Sequence, residues 1–178
     1  MPSIVIQDAC VLINLLASGR FEEIINGCGL PFAISQAVAR EAMVLHNAET
    51  NERERIDLQP LIAKGLLEVL TAETEAEKLR FIELTMNLDD GEAESVAIAE
   101  ARHFALATDD RKARNLIQRE GLNIELWSTC ALLQHWQGRS SVADTEMKII
   151  LTHILQRARY RPKAGHPHFA WWTSLMVG

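Results

Sequence analysis

The fold is decided by residues 4–16, IVIQDACVLINLL. The run Ser3–Ile6 is short, apolar and β-branched, which predicts a buried strand that stops at Asp8. A helical pattern follows over Val11–Ser18, and Gly19 predicts its end. A buried strand followed by an acid and a helix is the opening expected of a parallel α/β sheet.

The same alternation of strand and helix continues along the chain. It predicts an α/β class, a three-layer α/β/α fold with a central, mostly parallel sheet. The polar stretch Glu49–Arg55 is interpreted as loop or helix end. The further predicted strands are Phe32–Ile34, Leu66–Leu70, Phe104–Ala107 and Ile124–Trp127, and the further helices are Glu22–Asn26, Ser35–Asn47, Asp57–Lys64, Glu73–Asn87, Glu92–His103, Arg111–Glu120 and Ser128–Trp136.

The chain length and a short polar stretch predict the domain organisation. A chain of 178 residues fits one domain with an appendage. Gly138–Ser141 is interpreted as a hinge into a helix over Val142–Arg159. We therefore predict one domain over residues 1–138 and a C-terminal helical extension and tail over 139–178.

Composition excludes several classes of protein. Hydrophobic residues make up 48% and charged residues 24%, as in ordinary soluble globular proteins. No apolar run approaches the roughly 20 residues that cross a bilayer, and the N-terminus lacks the features of a signal peptide. The three cysteines are widely spaced and odd in number, which favours a reducing cytosol over a disulfide framework. We expect a cytoplasmic protein without a membrane partner.

The net charge of −6 is unevenly distributed. Residues 1–138 hold 12 Lys/Arg against 22 Asp/Glu, whereas residues 139–178 hold six against two. An acidic body with a basic tail fits a metal site beside a surface that holds phosphates. A solvated, charged helix end explains the tail equally well.

Acidic residues follow two of the predicted strands. Asp8 follows the first strand, and Asp109 and Asp110 follow Phe104–Ala107. Sites in an open parallel sheet form outside the carboxyl ends of the strands, so neighbouring strands would bring these carboxylates to one edge. The alternative for Asp110 is a helix N-cap, a common use of Asp after a strand.

Two glutamates interrupt apolar helix faces. The neighbours of Glu41 at three and four residues along the predicted helix are all apolar, and so are those of Glu94 on its C-terminal side. A buried carboxylate needs a partner, which is either an internal arginine or a metal ion. Glu94 also lies in a first helical turn, where the helix dipole favours an anion. Glu92 lies in the same turn, projects elsewhere and is the weaker candidate.

Four carboxylates from distant parts of the chain would raise one another's pKa unless a cation lay among them. An all-oxygen site without paired Cys or His suits Mg²⁺ or Mn²⁺. Such ions activate water and neutralise phosphate, which predicts phosphoryl chemistry. Arg111 and Lys112, which follow the acidic pair, either hold phosphates or form a solvated face.

The acidic segments resemble, in order, the motifs of PIN-domain proteins. They are IVIQDACVLINLL, the Glu41 helix, LDDGEAESVAIAEA and ATDDRKARNL, and the resemblance covers about residues 3–137. The subgroup that is most similar comprises bacterial PIN proteins with GEAE and DDRKAR segments. In such proteins four acids bind Mg²⁺ or Mn²⁺ and hydrolyse RNA, and many members are VapC-type toxins held by an antitoxin.

The resemblance implies a role for each matching residue. Asp8, Glu41, Glu94 and Asp110 would be the four acids, with Asp109 a close neighbour of the last. Thr108 would be the polar residue that precedes the last acid, grouped with Arg111 and Lys112 as substrate contacts. A single-stranded RNA substrate, an antitoxin partner and a homodimer are expected on the same ground.

The sequence also departs from the family's pattern. Cys10 stands where many relatives have Ser or Asn, the doubled Asp109-Asp110 leaves the fourth ligand open by one position, and the segment Glu49–Asn87 is long. An alternative is therefore a PIN module with weak or no catalysis that binds nucleic acid or a protein. A receiver-like phosphohydrolase is a third reading, disfavoured because only one acid follows the first strand.

Overall fold

The structure is a computed structural model in which residues 4–41 and 43–177 are described. Its main sheet has five parallel strands in the order β5-β2-β1-β6-β7. The predicted parallel sheet and the three-layer α/β/α class are confirmed, and Ser3 of the first predicted strand lies outside the described residues. The strands are β1 (Val5–Gln7), β2 (Phe32–Ser35), β3 (Val44–His46), β4 (Arg53–Arg55), β5 (Glu68–Leu70), β6 (Ala105–Ala107) and β7 (Leu126–Trp127).

Helices occupy most of the chain between the strands. They are α1 (Ala9–Ala17), α2 (Phe21–Cys28), α3 (Gln36–Arg40), α4 (Gln59–Ala63), α5 (Glu75–Thr85), α6 (Asp90–Arg102), α7 (Arg111–Arg119), α8 (Thr129–Ser140), α9 (Asp144–Arg157) and α10 (Phe169–Val177). In the described part of the chain, no helix combines the length and apolar character required to traverse a lipid bilayer.

The chain divides into two compact units. The first, described over residues 4–12, 30–41 and 57–128, holds the whole five-stranded sheet and α3 to α7. The second, described over 13–29, 43–56 and 129–177, holds α2, α8 to α10 and the antiparallel pair β3–β4. The predicted boundary at residue 138 stays a prediction.

One apolar cluster of the first unit lies on one face of the sheet. Ile6 of β1 is in register with Ala33 of β2 and Leu106 of β6, and all three are buried. They pack in one apolar cluster with Val96 and Ala97 of α6. Because this side of α6 is held against the sheet, its first turn lies in a fixed relation to the strand ends.

The predicted helix Ser35–Asn47 is wrong beyond its first turn. Ser35 does cap the helix, since its hydroxyl accepts a hydrogen bond from the Val38 amide at 3.2 Å. The helix ends at Arg40, however, because Glu41 has extended backbone (φ −68°, ψ 142°). The apolar residues that follow pair as β3 with β4, and periodicity alone does not separate such a short run from a helix.

Two other predictions are corrected by the structure. Glu49–Arg55 is neither loop throughout nor helix end, because Arg53–Arg55 forms strand β4. Gly138–Ser141 is not a hinge, because α8 continues through Ser140. The helix stops where Ser141 adopts φ 51°, and a new helix starts at Asp144.

Candidate active site

Asp8 lies at the carboxyl end of β1 and is buried. Its Oδ1 accepts hydrogen bonds from the amides of Cys10 at 2.7 Å and Val11 at 3.3 Å, so the carboxylate is fixed over the start of α1. Burial raises the pKa of Asp8, while hydrogen bonds from Cys10, Thr108 and Val11 oppose that rise. Hydrogen-bond donors around Asp8 thus stabilise a carboxylate that is buried away from solvent.

Cys10 interacts directly with this carboxylate. Its thiol hydrogen-bonds Asp8, and burial, followed by the charges of Asp8 and Asp109, raises the pKa of the thiol. The thiol is therefore protonated and serves as a donor.

Thr108 joins the ends of β1 and β6. Its hydroxyl donates to Oδ2 of Asp8 and accepts from the amide of Asp110 at 3.0 Å. The residue is 1% exposed and supports the two acids, and its predicted contact with a substrate stays a prediction. The parallel pairing of β1 with β6 confirms that Asp8 and the Asp109-Asp110 pair meet at one sheet edge.

Asp110 is the N-cap of α7. Its Oδ1 accepts from the amides of Lys112 at 2.6 Å and Ala113 at 2.9 Å. The capping alternative raised for this residue is confirmed. Capping fixes the direction of the carboxylate and does not remove it from the acidic group, because its charge raises the pKa of Glu92.

The first turn of α6 brings Glu92 into the same group. Asp89 and Glu92 form a capping box, in which Asp89 Oδ1 accepts from the Glu92 amide at 2.8 Å and Glu92 Oε2 accepts from the Asp89 amide at 3.4 Å. Burial raises the pKa of Glu92 to about 7, followed by the charges of Asp89, Asp110 and Asp8. Glu92 therefore faces the carboxylates at the ends of β1 and β6.

Glu41 reaches this group from the end of α3. It is exposed, so its predicted burial in an apolar helix face is wrong. Its carboxylate nevertheless lies among other acids: burial of the charged end raises its pKa to about 7, followed by the charges of Asp89, Asp8 and Asp90. The residue belongs to the predicted cluster for a different structural reason.

Glu94 is buried as predicted but has other partners. Its Oε2 accepts from the Ala37 amide in the first turn of α3 at 2.6 Å, and its Oε1 accepts from the Ala72 amide at 3.2 Å. Both oxygens hold backbone donors of neighbouring segments, which satisfies the buried charge. The ligand role of Glu94 stays a prediction, and its contacts favour a structural role.

We group the carboxylates of Asp8, Glu41, Glu92 and Asp110 as the acidic cluster of the first unit, because Asp8 acts on both glutamates and Asp110 acts on Glu92. The sequence pattern predicts that Glu92 projects elsewhere, whereas the charges of Asp8 and Asp110 act on its carboxylate. The available signal was its position three residues after Asp89, which is the capping-box spacing and fixes the side chain at the helix start.

The donor set of this cluster consists of carboxylate oxygens, which suit hard divalent cations. Within residues 4–41 and 43–177, no three His, Cys, Asp or Glu side chains converge closely enough to enclose a metal. The charge of Asp8 raises the pKa of Glu41 and of Glu92, and the charge of Asp110 raises the pKa of Glu92, as expected of anions that lie near one another without closing together. Mg²⁺ keeps several waters and uses one or two protein carboxylates, so this open, all-oxygen set fits such an ion.

The basic residues of α7 have different surroundings. Arg111 and Lys112 are exposed, so their side chains are accessible to phosphate. Arg114 instead donates from one guanidinium nitrogen to the carbonyls of Thr108 and Trp127, each at 3.0 Å. Arg114 therefore ties the ends of β6 and β7 together.

Comparison with known proteins agrees with this fold. The model of the family DUF3368, described as a PIN domain, matches residues 4–164. No curated protein matched the chain. The match takes in every strand of the five-stranded sheet and all four clustered carboxylates, and PIN domains are generally nucleases. The chain belongs to the PIN-domain family.

Proposed function

We propose that this chain is a divalent-metal-dependent endoribonuclease that cleaves single-stranded RNA. Its active site would be formed by the carboxylates of Asp8, Glu41, Glu92 and Asp110. The observation that carries the proposal is the coupling of these acids: Asp8 raises the pKa of both Glu41 and Glu92. Repulsion among ionised carboxylates this near to one another destabilises the metal-free protein, and a bound cation would remove that repulsion.

The residues would hold Mg²⁺ or Mn²⁺ through carboxylate oxygens. When bound, the ion would supply a hydroxide near neutral pH and neutralise charge on the phosphate. Asp8 is the ligand candidate whose orientation is most constrained, because donors from Cys10, Val11 and Thr108 bond both of its oxygens. Glu41 is the exposed member, which gives it access to water or substrate at the mouth of the site.

Phosphate binding is assigned to Arg111 and Lys112. They stand in the first turn of α7, directly after Asp110, and their side chains are exposed. Cations beside a metal-binding carboxylate would hold the backbone of a single strand next to the reacting phosphate. Their position offsets the net negative charge of the chain where an RNA would lie.

A toxin role with an antitoxin partner is the finer part of the proposal and is supported by the family resemblance. Induced expression of such a toxin should arrest growth, and co-expression of the protein encoded by the adjacent gene should relieve the arrest. Growth arrest that Asp8→Asn also causes would contradict a catalytic toxin.

The nuclease proposal is tested by cleavage of end-labelled single-stranded RNA with Mn²⁺, Mg²⁺ or a chelator. We expect metal-dependent cleavage by the wild type, none by Asp8→Asn, and wild-type cleavage by Asp144→Asn, which changes an exposed aspartate of α9. RNA binding without cleavage in any metal would replace the nuclease with the non-catalytic binding module.

A further inference from the structure

Gly91 occupies a position where a glycine needs an explanation. It is the second residue of α6 and is buried. Glycine is a poor helix former, second only to proline. Its φ is not positive, so the backbone conformation does not demand it. The reason must therefore be the space beside its α-carbon.

That space is filled by Glu41. A β-carbon added at Gly91 would lie 2.2 Å from Oε1 of Glu41 and 3.0 Å from Cγ2 of Val38. The first distance is far below van der Waals contact, so a side chain at residue 91 and the present position of the Glu41 carboxylate exclude each other. Val38 and Glu41 both belong to α3 or its end, where α3 packs on α6.

The contact locates the Glu41 carboxylate at the start of α6. The first turn of a helix has backbone N–H groups without intrahelical partners and carries the positive end of the helix dipole. Without a β-carbon at residue 91, the Glu41 carboxylate approaches this end closely. Asp8, Asp89 and Asp90 also lie near enough there for their charges to raise the pKa of Glu41.

We propose that Gly91 is a positioning residue whose missing side chain sets the place of the Glu41 carboxylate in the acidic cluster. This inference rests on the proposed function for one point, that the acidic cluster binds a divalent cation. Because Oε1 is the far end of a flexible side chain and Cγ2 of Val38 needs to move by only a few tenths of an ångström, Gly91→Ala should turn Glu41 away and leave the chain folded. The variant should therefore lose Mn²⁺ affinity without losing its fold.

The first test is a cycle of Mn²⁺ affinities measured by calorimetry. We expect Gly91→Ala to weaken binding on the order of 10-fold, as for residues that orient a metal ligand. Adding Gly91→Ala to Glu41→Ala should cause no further loss. The matched control is Gly138→Ala, a helical glycine with open space around it, which should bind as the wild type does. Additive losses, or wild-type affinity of Gly91→Ala, would overturn the inference.

The second test needs no metal and so separates this inference from the proposed function. A crystal structure of metal-free Gly91→Ala should show the Glu41 side chain turned away and α6 unmoved. A Glu41 carboxylate in its original place with α6 shifted would overturn the inference. If the wild type bound no Mn²⁺ while Glu41 turned away in this variant, the nuclease proposal would fail and the positioning role would stand.

Discussion

The hydroxyl of Thr108 donates a hydrogen bond to Oδ2 of Asp8 and accepts one from the amide of Asp110. One buried side chain therefore links acids that lie 102 residues apart in the sequence, from Asp8 to Asp110. The link spans the carboxyl ends of β1 and β6, which are parallel neighbours. Removing the hydroxyl should affect both acids at once.

We expect Thr108→Val to lower the free energy of unfolding by about 1–3 kcal/mol, because two buried groups lose a partner. Mn²⁺ affinity should fall by about 10–100-fold, since the orientation of Asp8 is disturbed. Thr108→Ser keeps the hydroxyl and is the control. Denaturant unfolding and calorimetry measure the two effects, and equal behaviour of the Val and Ser variants would contradict the role assigned to the hydroxyl.

Glu92 and Glu94 are expected to respond differently to the same change. Glu92→Gln should abolish or greatly weaken Mn²⁺ binding with little loss of stability, because its carboxylate faces the acidic cluster. Glu94→Gln should lower the free energy of unfolding by about 1–3 kcal/mol, because the amides of Ala37 and Ala72 each bond a different carboxylate oxygen and one of them would then face an NH2 group that cannot accept. Loss of Mn²⁺ binding only in Glu94→Gln would restore the assignment made from the sequence.

The stability of the metal-free protein should fall as pH rises from 4.5 towards 7. Glu41 and Glu92 have pKa values of about 7 in the folded protein against an ordinary 4.5, so the folded state keeps protons that the unfolded chain releases. Glu77, whose pKa Arg102 lowers to about 2, acts oppositely and only below 4.5. Thermal unfolding across this range measures the trend, which the double variant Glu41→Gln/Glu92→Gln should flatten. A rise in Tm over the same window in the wild type would contradict the coupling.

Arg111→Ala and Lys112→Ala should each weaken binding of single-stranded RNA and reduce its salt dependence. Both side chains are exposed beside Asp110, and removing one phosphate-binding cation lowers the slope of log K against log salt by about 0.7. Arg119→Ala, at the exposed far end of α7, should bind as the wild type does. Fluorescence anisotropy at several salt concentrations gives the slopes, and an unchanged slope in both variants would remove the phosphate role.

The strand pattern allowed the sheet edge to be predicted. Buried apolar runs before Asp8 and Asp109 indicated strands, and parallel strands place their carboxyl ends together. The structure has this pairing of β1 with β6. The cap at Asp110 was also open to prediction, because Asp after a strand is a frequent N-cap.

Side-chain partners could not be read from periodicity. The helical period correctly placed Glu94 inside, but burial does not tell whether a carboxylate meets a metal site or the amides of Ala37 and Ala72. The apolar residues around Glu41 were interpreted as a helix that continues to Asn47. The helix instead ends at Arg40, one residue before Glu41. Its place in the cluster depends on the packing of α3 against α6, which involves residues about 50 positions apart.

The most direct measurement is calorimetric titration of Mn²⁺ into the metal-free wild type and into metal-free Asp8→Asn. Equal Tm values of the two proteins show beforehand that the variant is folded. We expect saturable binding by the wild type and its loss in the variant, because Asp8 is charge-coupled to Glu41 and Glu92. Equal affinity in the two proteins, or no binding by the wild type, would contradict a metal site at these carboxylates.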